Sequence, residues 1–183
     1  MDDYFMDLTI KLSSFTLSTN EVPISCILTY NNKIISYGYN LTNEESNPLA
    51  HAEIICLKKI NIEIFKTPKN SLLEEYSKLS NENLKSIIDY NPKVTQENNK
   101  FKMYISCEPC TMCYGILARL PLEIYYGCTN YQFGCTNIGN MSGGILLFRK
   151  EAVVNLRKFF LKENLLAPEE KRILKKNRKL KEI

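Results

Sequence analysis

The run Ser106-Cys107-Glu108-Pro109-Cys110-Thr111-Met112-Cys113 decides how this 183-residue chain is read. It joins a predicted buried strand, residues 101–106, to a predicted helix, residues 110–120, with Pro109 expected at the first helical position. Cysteines three apart on a helix share one face. At a helix N-terminus the dipole and the free N–H groups favour their thiolate forms. Alone, the CxxC pair fits half a zinc knuckle, a redox pair or two core thiols. A second segment, His51-Ala52-Glu53, opens another predicted helix over 50–60, and His51 is the only histidine in the chain. Two thiolates and an imidazole make a three-ligand zinc set with a fourth position left for water, which is the arrangement of a catalytic site. Glu53, two residues from His51, is then placed to carry protons between that water and a substrate. Cys128 and Cys135 are seven apart and suit a four-cysteine structural site poorly. Cys107 reads as a core thiol.

Outward from these segments, residues 4–18 have Phe5, Leu8, Leu12 and Phe15 at helical spacing. Glu21-Val22-Pro23 breaks that helix. Residues 24–30 and 33–39 read as strands of a hairpin turning at Asn31-Asn32. Residues 40–49 form a polar loop, and Ile54, Ile55 and Leu57 are expected to point inward from the helix over 50–60. Residues 61–100 are rich in Asn, Lys, Glu and Ser and read as an insertion, partly helical at 71–89 and mobile near 91–100. A strand is expected over 122–127, with Tyr125 and Tyr126 there for strand burial. A loop follows over 128–144, then a helix over 150–162 with Val153, Val154, Leu156 and Phe160 apolar. This order predicts one α/β domain over 1–166, with a mixed sheet and helices on its faces, followed by a tail over 167–183.

Composition narrows the class. Apolar residues make up 44% of the chain, enough for a buried core. No apolar run reaches the length of a membrane span, and the acidic start lacks the basic and apolar regions of a secretory signal. An intracellular location is expected. Seven cysteines, an odd number, speak for metal binding or free thiols over a disulfide framework. Residues 169–183 carry seven Lys or Arg against three Glu, which accounts for the whole net charge of +4. A neutral body with a basic tail fits an anionic partner such as nucleic acid, and equally a solvated terminal helix.

Together, H-x-E and P-C-x-x-C form the zinc-deaminase signature. Over most of residues 4–166, the insertion apart, the chain resembles the tRNA adenosine deaminases of the cytidine-deaminase superfamily. The stretches that carry the resemblance are Glu21-Val22-Pro23-Ile24, Gly38-Tyr39-Asn40, Pro48-Leu49-Ala50-His51-Ala52-Glu53 and Ser106 to Cys113. A further stretch, Pro121 to Cys135, resembles the catalytic subunit of the eukaryotic heterodimeric wobble deaminase. The resemblance implies a three-layer cytidine-deaminase-like fold, its mixed central sheet covered by helices on both faces. It implies one catalytic Zn2+ on His51, Cys110 and Cys113, proton transfer by Glu53, and substrate contacts at Asn40 and Ala52. Glu108 would support the metal helix. The tail, through Lys171, Arg172, Lys175, Lys176, Arg178 and Lys179, would help hold tRNA. The implied substrate is adenosine at the wobble position of a tRNA anticodon loop. The implied partner is a catalytically silent paralogous subunit, with a homodimer as the alternative. Two other readings share the metal motif: a small-molecule deaminase acting on cytosine, guanine or a pterin-like ring, and a non-catalytic RNA-binding zinc subunit. Glu53 argues against the second. The chain departs from the family in having one glycine, Gly134, after Phe133 where two are frequent. Its loop between Gly134 and Lys150 looks short, and its insertion is longer than usual.

Overall fold

A computed structural model describes residues 1–60 and 101–162. The expectations for the insertion over 61–100, including its helical part and its mobile end, and for the tail over 167–183 lie outside the described residues. Helix α1 (Asp2–Phe15) passes through a 3-10 turn (Thr16–Ser18) to β1 (Ser25–Tyr30) and β2 (Lys33–Tyr39). Numbered along the described residues, α2 (Ala52–Lys58), β3 (Phe101–Ile105), α3 (Thr111–Leu117), β4 (Leu122–Tyr126), α4 (Cys135–Gly139), β5 (Ile145–Leu146) and α5 (Lys150–Leu161) follow. The strands lie in the order β2-β1-β3-β4-β5. The first three pair antiparallel and the last three parallel, so the sheet is mixed. Asn31 and Asn32 turn the hairpin with φ of 49° and 61°, the two positive values that a tight primed turn requires and that asparagine tolerates.

Side-chain alternation along the strands builds the layers. Cys26, Leu28, Met103, Ile105 and Tyr126 point to one face and pack with Ala52 and Cys56 of α2 and Leu117 of α3. Ile27, Tyr104 and Tyr125 point to the other and pack with Phe5, Leu8 and Leu12 of α1 and Ala152 of α5. The sheet is therefore the middle of three layers. Tyr104 sits between Phe5 and Tyr125 at ring separations of 5.3 and 5.2 Å. Its hydroxyl donates to Asp2 at 2.6 Å, and Lys102 Nζ reaches the same carboxylate oxygen at 2.9 Å, fixing the start of α1 across the sheet. No helix among the described residues is long and apolar enough to cross a membrane.

Helix α2 lies unusually close to β2. A Cβ at Gly38 would stand 2.1 Å from the Ala52 carbonyl oxygen and 2.7 Å from the Cys56 nitrogen, so only glycine lets the helix settle there. Ser36 Oγ donates to the Cys56 carbonyl at 2.7 Å, and Cys26 Sγ to the Ala52 carbonyl at 3.2 Å.

Several expectations are corrected here. Pro109 precedes the helix instead of opening it: Cys110 is the N-cap, with extended backbone that pairs with Gly134. Phe15 is 57% exposed, because α1 turns Phe5, Leu8 and Leu12 toward the sheet and ends at the protein's edge. In α2 the inward positions are Ala52, Glu53, Ile55 and Cys56, with Ile54 half-buried. The helix begins at Ala52, and Gly38 draws that face onto the strand. Residues 128–144 contain α4, and β5 adds a fifth strand beyond it. In α5 Val153 and Leu156 pack against the core as expected, but Phe160 is 52% exposed, and the fully buried positions are Ala152 and Asn155.

Candidate active site

Two helix starts meet beyond the C-terminal ends of the parallel strands. His51 is the N-cap of α2 and Cys110 the N-cap of α3, both with extended backbone. Cys113 lies one turn into α3 and is fully buried. His51 Nδ1 stands 3.6 Å from Cys110 Sγ and 3.5 Å from Cys113 Sγ, and the three ligand atoms lie within 4.8 Å of one another. Zinc bonds of about 2.3 Å to sulfur and about 2.0 Å to nitrogen imply a tetrahedral N···S edge of about 3.5 Å. The two observed separations fit that edge, so these residues are spaced to hold such an ion.

The charge state fits as well. The hydrogen bond from Cys113, then its contact with His51, pushes the Cys110 thiol down to about 4. Cys113, donating to Cys110 and buried, is pushed up. His51 is raised, chiefly by its hydrogen bond with Cys110. Without a cation the set thus favours keeping protons on Cys113 and His51, and a bound cation would displace them.

Glu53 follows in the first turn of α2 and is 3% exposed. Burial is the main cause that raises its pKa, with the Cys110 charge adding to it; both favour the protonated carboxyl. The Ala52 N–H donates to Asn40 Oδ1 at 3.0 Å, which ties the end of β2 to the start of α2. Ala52 itself is fully buried and does not border the cavity described next.

A cavity of about 760 Å3 opens over these groups, within the usual size of small-ligand sites. His51, Glu53 and Cys110 border it together with Asn40. Val22, Ile24 and Thr42 form one wall, and Thr129 through Phe133 form another. Tyr131, Phe133 and Phe160 border it too and are 82%, 63% and 52% exposed. The tail residues Lys171, Arg172, Lys175, Lys176, Arg178 and Lys179 lie outside the described residues.

Each wall is held by a buried carboxylate. Glu21, 2% exposed, accepts from the Asn43 and Glu44 amides at 2.8 and 2.9 Å and from Thr42 Oγ1 at 3.0 Å. Glu108, 3% exposed, accepts from the Asn130 and Thr136 amides at 2.9 and 3.0 Å and from Thr136 Oγ1 at 2.5 Å. Burial opposes the Glu108 charge, but these donors outweigh it and hold the carboxyl below its ordinary range. The sequence places Glu21 in a helix break and in a stretch that carries the family resemblance, but no local pattern reveals partners twenty residues away. Cys107, though buried as a core thiol would be, also borders the cavity.

Residues 1–128 match the family model described as the cytidine and deoxycytidylate deaminase zinc-binding region. The chain is 29% identical over 188 residues to the tRNA-specific adenosine deaminase subunit tad2 of Schizosaccharomyces pombe, a match that covers 94% of this chain and 41% of that protein. It is 27% identical to the tRNA-specific adenosine deaminase 2 of Xenopus tropicalis, covering 91% of this chain and 93% of that one. A solved structure from a study of A-to-I editing by tRNA:A34 deaminases superimposes with a TM-score of 0.55 at 19% identity, covering 84% of this chain and 99% of that one. The guanine deaminase of Nitrosomonas europaea superimposes with a TM-score of 0.54 at 17% identity, covering 85% and 82%. These two structures bear on the fold alone.

Proposed function

We propose, from the premise that this chain belongs to the cytidine and deoxycytidylate deaminase zinc-binding family, that it converts adenosine to inosine at the wobble position of tRNA as the catalytic subunit of a heterodimer. The observation that carries this reading is Glu53, a buried carboxyl bordering the same cavity as the metal-spaced His51 and Cys110. The tRNA substrate is supported by the names of the relatives from Schizosaccharomyces and Xenopus.

His51, Cys110 and Cys113 would hold the zinc ion, which when bound lowers the pKa of a water molecule to about 7. Glu53 takes a proton through its carboxylate, and its burial favours keeping it. Glu53 delivers that proton to N1 of adenine, where inosine keeps it; it then carries the second proton of the added water to the amine, which leaves as ammonia as the C6–N bond gives way to C6=O. Asn40, its Oδ1 engaged by Ala52, presents its amide to the base. Tyr131, Phe133 and Phe160 offer exposed rings at the rim on which neighbouring bases stack. An anticodon loop suits such a site, because its bases splay out at low cost. Lys171, Arg172, Lys175, Lys176, Arg178 and Lys179 contact its phosphates. A catalytically silent paralogous subunit completes the enzyme.

The experiment is inosine formation on an anticodon stem-loop with adenosine at the wobble position, set beside free guanine, cytosine and adenosine. It is run with the chain alone and with a paralogous subunit. Turnover of the stem-loop that needs the second subunit is the expected result. Turnover by the chain alone replaces the heterodimer with a self-sufficient enzyme. Turnover of free bases in place of the stem-loop assigns a small-molecule deaminase.

A further inference from the structure

We propose that Glu108 is a positioning residue that must be a carboxylate, because it seats the cavity wall carrying Tyr131 and Phe133 through both of its oxygens. The inference rests on the wobble-deaminase reading for its substrate and on geometry for its mechanism.

The two wall glutamates differ at the level of single oxygens. At Glu21, both backbone amides, those of Asn43 and Glu44, donate to Oε1, and Oε2 receives only the Thr42 hydroxyl. A glutamine there satisfies every partner. Its carbonyl takes the Oε1 place, and its NH2 donates to the hydroxyl, which accepts as readily as it donates.

Glu108 allows no such exchange. Its Oε2 receives the Asn130 amide, and its Oε1 receives the Thr136 amide together with the Thr136 hydroxyl. Cys135 Sγ also approaches Oε1, at 3.8 Å. Whichever way a glutamine amide is turned, its NH2 confronts a backbone N–H that cannot accept. One buried donor pair is then left unsatisfied, at a cost that moves an equilibrium by about tenfold or more. The wall has little room to shift, since a Cβ at Gly134 would meet Glu108 Oε1 at 2.6 Å. The same segment is laced to the metal turn: Thr111 N–H donates to the Phe133 carbonyl at 3.2 Å and Cys135 N–H to the Pro109 carbonyl at 3.1 Å. Glu108 therefore sets where Tyr131 and Phe133 stand relative to Cys110 while making no contact with the ligand atoms.

The test compares Glu108→Gln, Glu21→Gln and Thr136→Val in the full chain, zinc-loaded and with its partner subunit where one is required. It reads amide exchange over residues 128–137, zinc per chain, and KM and kcat on the stem-loop. In Glu108→Gln, exchange over 128–137 is expected to rise about tenfold. KM should rise by a similar factor, with zinc retained and kcat within about threefold of the parent. Glu21→Gln should match the parent in all four. Thr136→Val removes one donor and keeps both amide bonds, so it should give a smaller change in the same direction; it serves if Glu108→Gln fails to fold. Parent-like exchange in Glu108→Gln overturns the proposal. So does an equal loss in Glu21→Gln, or loss of zinc from folded Glu108→Gln, which would make Glu108 a support of the metal helix. If the parent forms no inosine, the substrate reading fails while the exchange measurement still decides the role of Glu108.

Discussion

Asn40 divides its side chain between two tasks. Oδ1 holds the Ala52 amide at the start of α2, while Nδ2, with no partner among the described residues, is the atom left for a base in the cavity that Asn40 borders. Asn40→Asp keeps the acceptor and loses the donor, so the melting temperature should hold while KM on the stem-loop rises. Asn40→Ala loses both and should also destabilise the fold by about 1 kcal/mol. Thermal unfolding beside KM measurement separates the two, and an unchanged KM in Asn40→Asp would remove the base contact. Asp2 gives a prediction about acid. Burial alone would raise its pKa, but hydrogen bonds from Tyr104 and Lys102 outweigh burial and hold it below the ordinary carboxylate range. A depressed folded pKa stabilises above the unfolded value of about 4 and loses that contribution as pH falls through the folded value. Unfolding midpoints from about pH 5 to about pH 2 should therefore fall less steeply in Asp2→Asn than in the parent. His51, Cys110, Cys113 and Glu53 were legible in the sequence because metal chemistry permits few residue types at few spacings. Glu21 and Glu108 reach their partners across 21 to 28 residues, a relation that no local spacing encodes.

Among the elements, the seat of α2 on β2 is the tightest requirement. Gly38→Ala would drive a methyl into the Ala52 carbonyl and push away the helix that carries His51 and Glu53. Overpacking of this kind costs about 1–3 kcal/mol. The melting temperature should drop by several degrees and zinc affinity should weaken, both measurable by calorimetry; an unshifted melting temperature would show that α2 has room. The hairpin, β3 and β4 were readable because alternation and turn chemistry act locally. Two-residue β5 was not, since its strand character comes from pairing Ile145 and Leu146 with Tyr125 and Tyr126. The start of α3 was displaced by one residue because Cys110 pairs with Gly134, a tertiary contact that overrides proline's preference for the first helical turn.

At the scale of the whole molecule, residues 169–183 carry the entire net charge of +4 and the rest of the chain is neutral. A chain ending at residue 168 removes seven Lys or Arg. It should keep zinc and fold while losing tRNA affinity and part of its salt dependence; unchanged affinity across a salt titration would show that the tail takes no part. The layered fold was legible from the order of helices and strands, and the mixed sheet followed from it. The convergence of both cavity walls on buried carboxylates was not, because it depends on where the chain returns in space. Whether Glu53 moves protons beside His51, Cys110 and Cys113 is decided by one paired measurement. Zinc content and inosine formation are measured together in the parent and in Glu53→Ala. Equal zinc and a rate at least about a hundredfold lower in the variant are expected. Inosine formation by Glu53→Ala at the parental rate would contradict that role.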